Sequence, residues 1–179
     1  MEGSSAALPC EAGTFGSQTG AQSHADCMGC PAGTFCFAGS TAATSCSKGT
    51  YAAAEGSQLC DACPEGKYQG EEGASAPLPC EGGSYGAAAG LETQAQCTVC
   101  PAGTYCFAGS TAATSCSKGT YAAAEGSQLC DACPEGKYQG KEGASACIEC
   151  GDGFTCPEGS VVQIPASCDA GTYLDAASD

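Results

Sequence analysis

The hydrophobic positions of this chain are metered by its cysteines. Nine of the twelve aromatic side chains stand five residues after a cysteine, in a recurring Cys-x-x-Gly-x-aromatic pattern. It appears at Cys10-EAGTF, Cys30-PAGTF, Cys46-SKGTY, Cys63-PEGKY, Cys80-EGGSY, Cys100-PAGTY, Cys116-SKGTY, Cys133-PEGKY and Cys168-DAGTY. The glycine permits a turn at positive φ, and a proline directly after the cysteine sets the first turn angle. Beyond the turn the pattern predicts a short extended segment whose ring can lie over a disulfide, the one sizeable apolar surface on offer. Alanine runs such as Tyr51-AAAEG hint at helix, but four or five residues between glycines cannot nucleate one. The expectation is short two-stranded hairpins and turns, little helix and no large hydrophobic core.

A longer period overlies the short one. The 35 residues from Cys36 to Gly70 recur letter for letter from Cys106 to Gly140, 70 residues on. Self-similarity at a fixed spacing marks an array of units rather than one globule. Unit one is read as residues 1–70, unit two as 71–140, and a third, partial and divergent after Cys150, as 141–179. Residues 1–9 align with Glu71–Pro79, and Cys168-DAGTYLDAASD matches the opening of Cys116-SKGTYAAAEGS, so the expectation is a window of a longer array. The opening MEGSSAAL, without the basic and apolar stretches of a signal peptide, fits that expectation. The fold class expected is small disulfide-rich repeats forming an elongated rod, each module touching mainly its neighbours.

Composition decides what can hold such an array together. Leu, Ile, Val, Met and Phe number only 18 of 179 residues, and the net charge is −15, a balance that ordinarily leaves a chain disordered. The 18 cysteines reverse that reading: cross-links replace the missing core. In the chain-entropy account a bridge closing a loop of roughly 15 residues contributes about 3 kcal/mol. Unit one carries Cys10, Cys27, Cys30, Cys36, Cys46, Cys60 and Cys63; unit two carries Cys80, Cys97, Cys100, Cys106, Cys116, Cys130 and Cys133. Cys147, Cys150, Cys156 and Cys168 follow, and all are taken as structural disulfide cysteines. Disulfides persist in oxidising compartments, so the location expected is extracellular or at the cell surface.

The run Cys46-SKGTYAAAEGSQLCDACPEGKY, with its copy at Cys116, resembles the ephrin-receptor-like cysteine-rich repeat, itself similar in style to TNF-receptor and EGF-like modules. The variant Cys30-PAGTFCFAGSTAATSC, with its added Cys36, resembles arrays in large extracellular proteins. The resemblance implies a disulfide-rich extracellular fold and leaves function open, because such modules serve as stalks, spacers and receptor segments. It implies the bond Cys10–Cys27, followed either by interleaved Cys30–Cys46 and Cys36–Cys60 or by local Cys30–Cys36 and Cys46–Cys60. In unit two the analogous choices hold, with Cys80–Cys97 and Cys133–Cys147. Pro77 stands where unit three has Cys147, so Cys63 lacks its obvious partner. Two readings stay open for it: an irregular bond within the chain, or a cross-link to a second protomer. The interleaved scheme also strands Cys156 if Cys150 pairs with Cys168.

Other chemistry is weighed against plainer readings. Five Cys-x-x-Cys pairs (27/30, 60/63, 97/100, 130/133, 147/150) match zinc or redox spacing, but each is a junction between two Gly-aromatic modules. With His24 the single histidine, no catalytic triad assembles; the chain is read as not an enzyme, with no cofactor and no metal. Asp61, Glu65, Glu71 and Glu72 fit no calcium-loop pattern and read as a solvated acidic face. Lys48, Lys67, Lys118 and Lys137 recur with the repeat, so they report duplication rather than four roles. Twenty carboxylates against five lysines disfavour nucleic acid and anionic membrane surfaces, and no apolar run is long enough to insert in a membrane. Without asparagine there is no N-glycosylation acceptor, whereas Gly39-STAATS and its copy at Gly109 suit O-linked glycans.

The function expected is therefore structural: a disulfide-stapled repeat that self-associates into a homopolymer, as a filament, stalk or surface appendage. The rival reading is a receptor ectodomain segment that binds a protein ligand. Phe37, Phe107 and Phe154 are its best exposed anchors, since the other nine aromatics are committed to the repeat.

Overall fold

A computed structural model describes residues 8–16 and 24–166 of the chain; Cys168 and the module it opens lie outside the described residues. The described chain is a succession of nine antiparallel hairpins whose strands are two residues long. Module one pairs Thr14–Phe15 with Met28–Gly29, module two Thr34–Phe35 with Thr44–Ser45, and module three Thr50–Tyr51 with Asp61–Ala62. Module four pairs Lys67–Tyr68 with Leu78–Pro79, and module five carries Ser84–Tyr85 and Thr98–Val99. Modules six, seven and eight repeat two, three and four, 70 residues on. Module nine pairs Phe154–Thr155 with Ile164–Pro165. Helix is confined to two 3-10 turns among the described residues, His24–Asp26 and Gln94–Gln96. The expected class, small disulfide-rich repeats with little helix, is the observed one.

Each hairpin starts the same way for a local reason. The glycine three residues after the opening cysteine sits at φ between +76° and +87° in all nine modules, where a side chain would strain the backbone. Where threonine follows it, as at Thr14, Thr34, Thr50, Thr104 and Thr120, the hydroxyl donates to the carbonyl three residues back at 2.7–2.8 Å and closes the turn. The carbonyl of that glycine then accepts the N–H of the next module's opening cysteine, for example Cys46 N–H to Gly33 O at 2.9 Å.

Successive modules are joined by main-chain hydrogen bonds that repeat at all eight junctions, three at each. The turn glycine donates to the residue after the next module's strand position (Gly33 N–H to Ala52 O, 2.8 Å). That module's second glycine donates back to the opening cysteine (Gly56 N–H to Cys30 O, 2.8 Å). The third runs from the residue after the strand, as in Cys36 N–H to Ser57 O at 3.1 Å. Across the described chain these bonds span 2.7–3.2 Å. Backbone groups that two-residue strands leave open are thereby satisfied by the next module.

The chain divides into two compact units. One comprises Met1–Glu81, Gly86–Thr98 and Gly109–Thr111; the other comprises Gly82–Tyr85, Val99–Ala108 and Ala112–Asp179. Within each, modules bond to their immediate neighbours and also meet their second neighbours. A Cβ placed on Gly13, Gly33, Gly49 or Gly66 would run into the carbonyl of Gly56, Gly73, Gly90 or Gly109, two modules on. In the other unit Gly83, Gly103 and Gly119 stand the same way against Gly126, Gly143 and Gly159. Each of these seven turn glycines is thus required twice, by its own φ and by a carbonyl standing where a side chain would have to go.

The interior is made of cysteine. Cys30, Cys36, Cys46, Cys63, Cys80, Cys100, Cys106, Cys116 and Cys133 are the largest fully buried side chains, joined by Ala52 and Ala122. The strand aromatics from Phe15 to Tyr138 are half-buried.

Candidate functional site

Eight disulfides bind sixteen of the seventeen described cysteines, and every bond stays inside one module. The pairs are Cys10–Cys27, Cys30–Cys36, Cys46–Cys60, Cys80–Cys97, Cys100–Cys106, Cys116–Cys130, Cys133–Cys147 and Cys150–Cys156, with Cα atoms 5.7–6.3 Å apart. Of the two schemes left open by the sequence, the local one is present. Cys156 finds Cys150 and is not stranded. Each Cys-x-x-Cys is split between modules: Cys27 closes the first and Cys30 opens the second. No group of three or more His, Cys, Asp or Glu among the described residues is arranged to hold a metal ion.

Cys63 is the exception, and its expected part in a disulfide is corrected. It is unpaired and fully buried, because Pro77 occupies the position that Cys147 fills for Cys133 in module eight. Burial pushes its thiol up from the ordinary 9.0, against a weaker opposing pull from its backbone hydrogen bond. At 0% exposure the thiol is out of reach of a second protomer while module four stays closed.

Modules four and eight form an internal comparison. In both, a buried glutamine spans the loop. Gln69 donates to Ala76 O at 2.7 Å and accepts from Glu71 N–H at 2.9 Å; Gln139 makes the same bonds to Ala146 and Lys141. Module eight adds its disulfide and an ion pair, Lys137 Nζ to Glu149 Oε1 at 2.7 Å. The hydrogen bond to Glu149 holds the Lys137 ammonium above its ordinary pKa. In module four the residue opposite Lys67 is Pro79, which offers no carboxylate.

The exposed aromatics fall where the rival reading needs them. Phe37 and Phe107 are 58% and 56% exposed, each packed edge-on against its strand aromatic, Phe35 or Tyr105, with ring centroids 5.2 Å apart. Phe154 is 44% exposed because module nine carries Phe at the first strand position and Thr at the second, the reverse of modules two and six. It borders a hollow of about 550 Å³ shared with Glu135, Gly136 and Cys156. Asp61, Glu65, Glu71 and Glu72 are all exposed. No helix among the described residues is long and apolar enough to cross a membrane.

The second glycine, nine or ten residues after each opening cysteine, was missed as a feature, although the spacing is present in modules two to nine. Gly39, Gly56, Gly73, Gly90, Gly109, Gly126, Gly143 and Gly159 all have positive φ and all bond back to the preceding module. Module nine shows what the glycines specify. Its sequence departs from the repeat, yet Gly153 and Gly159 are kept and so is the hairpin.

Hairpin modules, eight of the nine described ones closed by their own disulfides and all joined by one repeated set of backbone bonds, define a disulfide-rich tandem repeat of the extracellular kind. The pattern of the family described as Tyrosine-protein kinase ephrin type A/B receptor-like matches residues 33–80 and 119–162, just over half of the chain. The chain belongs to this ephrin-receptor-like cysteine-rich family. No match was found among curated proteins.

Proposed function

We propose that this chain is an extracellular structural repeat protein that self-associates as a filament, stalk or cell-surface appendage. The observation that carries the reading is the repeated junction: three backbone hydrogen bonds recur at every one of eight interfaces, whatever side chains surround them. Junctions of that kind add without limit, and identical surfaces meeting head to tail generate fibres when the rotation does not close. Stability comes from staples inside all the described modules but the fourth, so length does not depend on building a larger core. The exposed Thr44–Ser45 and Thr114–Ser115 strands are the acceptors for O-linked glycans in this reading. Electron microscopy of the native material tests it: fibres with an axial repeat are expected, and isolated monomers contradict it. Glycopeptide mass spectrometry that finds those hydroxyls bare removes the glycan part.

The second reading, a receptor ectodomain segment that binds a protein ligand, is favoured by the braced and exposed Phe37 and Phe107 and by the receptor-like family description. If it holds, replacing both phenylalanines by serine abolishes capture of a ligand and leaves the disulfide map unchanged.

A further inference from the structure

We infer that module four, residues 63–79, is a built-in release element: the part of the described array that opens first under load, exposing the Cys63 thiol while its neighbours stay closed. Its role under tension rests on the structural reading above; the order of opening is a property of the chain alone.

Covalent bypass sets the order. Tension applied along the chain passes through a disulfide and leaves the enclosed loop slack, so a stapled loop cannot lengthen. The bond Cys46–Cys60 closes module three and Cys80–Cys97 closes module five, with none between them. The stretch from Cys60 to Cys80 is therefore free to extend, and twenty residues at 3.3–3.6 Å each reach at most about 70 Å. The next longest unstapled stretches among the described residues, Cys36 to Cys46 and Cys106 to Cys116, have half as many residues. At every junction from module five to module eight, and from module one to module three, only two residues separate one closing cysteine from the next opening one or the gap is that shorter stretch.

Non-covalent restraint points the same way. Module four keeps the two-residue ladder, the Gln69 latch and the junction bonds, but lacks both the disulfide and the ion pair of module eight. Over seventeen residues the two modules differ at four positions, where Glu71, Pro77, Leu78 and Pro79 stand against Lys141, Cys147, Ile148 and Glu149. The closed form hides Cys63 completely, so opening turns a silent thiol into a reactive one.

The test is single-molecule extension of the full oxidised chain, tethered at its ends through groups other than cysteine, alongside native-state maleimide labelling of Cys63. The expected first event lengthens the chain by up to about 70 Å and is absent in Pro77→Cys, in which module four acquires the staple of module eight. Gln69→Ala, which removes the latch, is expected to raise the Cys63 labelling rate roughly tenfold, and Gln139→Ala to leave that rate unchanged. A first event that persists in Pro77→Cys overturns the inference. So does a labelling rate indifferent to Gln69→Ala, which decides the matter even if Pro77→Cys misfolds. Electron microscopy decides the structural reading separately, so either can fail without the other.

Discussion

Replacing Gly103 by alanine separates the two constraints on the turn glycine, because the chain supplies its own control. Gly103 has φ +82° and Gly136 has φ +85°, so alanine costs the same backbone strain at both, about 1–2 kcal/mol. They differ in what the new methyl meets. At Gly103 it runs into the carbonyl carbon and oxygen of Gly143, two modules on; at Gly136 no atom of the described residues lies within 4 Å. Backbone cannot swing aside as a side chain can, so overpacking adds about 1–3 kcal/mol at Gly103 alone. Amide hydrogen exchange on the oxidised chain reads the loss module by module, as a repeat array requires. For Gly103→Ala the amides to follow are Gly143, which donates to Cys116 O, and Cys116, which donates to Gly103 O. For Gly136→Ala they are Gly159 and Cys150, which bond to Cys133 O and Gly136 O. The loss of protection is expected to be about ten- to a hundredfold larger for Gly103→Ala. Equal losses at the two sites would refute the second-neighbour contact as a structural constraint.

Three further outcomes follow from the staples and the latch. Pro77→Cys closes a loop of the same span as Cys133–Cys147 and is expected to stabilise module four by about 3 kcal/mol, read as a raised denaturation midpoint and the loss of the titratable thiol. Because the folded Cys63 pKa lies above its unfolded value, its contribution is present below pH 9.0 and lost as pH rises beyond it; the wild-type midpoint should fall in that alkaline range, whereas Cys63→Ala should lack this term. Gln139→Ala removes two hydrogen bonds at a buried position and should cost about 1–3 kcal/mol in exchange protection around Lys141 and Ala146, without disturbing the Cys133–Cys147 bond.

The hairpins were legible because one short motif sets them. A cysteine, a glycine three residues on and an aromatic two beyond that fix the turn and the first strand, and each motif within the described residues opens a module. The absence of a conventional core was equally legible from 18 large apolar residues against 18 cysteines. What stayed hidden depends on space rather than spacing. Disulfide pairing is a matter of which loops close, and Cys30 has both Cys36 and Cys46 within reach along the chain. The contacts between Gly103 and Gly143 or Gly33 and Gly73 join residues forty positions apart, and no local propensity reports them. The recurring second glycine carried part of that signal, but its bond runs backward to the previous module, where a single-motif reading does not look. Cys63 shows the limit from the other side: Pro77 announced a missing partner, while the depth at which the thiol lies emerges only from packing.

Disulfide mapping by non-reducing peptide mass spectrometry tests the central claim, that every described module but the fourth is closed by its own bond, most directly. The account predicts the peptides Cys30–Cys36, Cys46–Cys60, Cys100–Cys106 and Cys116–Cys130, together with a free Cys63. Recovery of Cys30–Cys46 with Cys36–Cys60 would contradict it, because bonds crossing from one module to the next would replace the repeated backbone junction as what holds the array together.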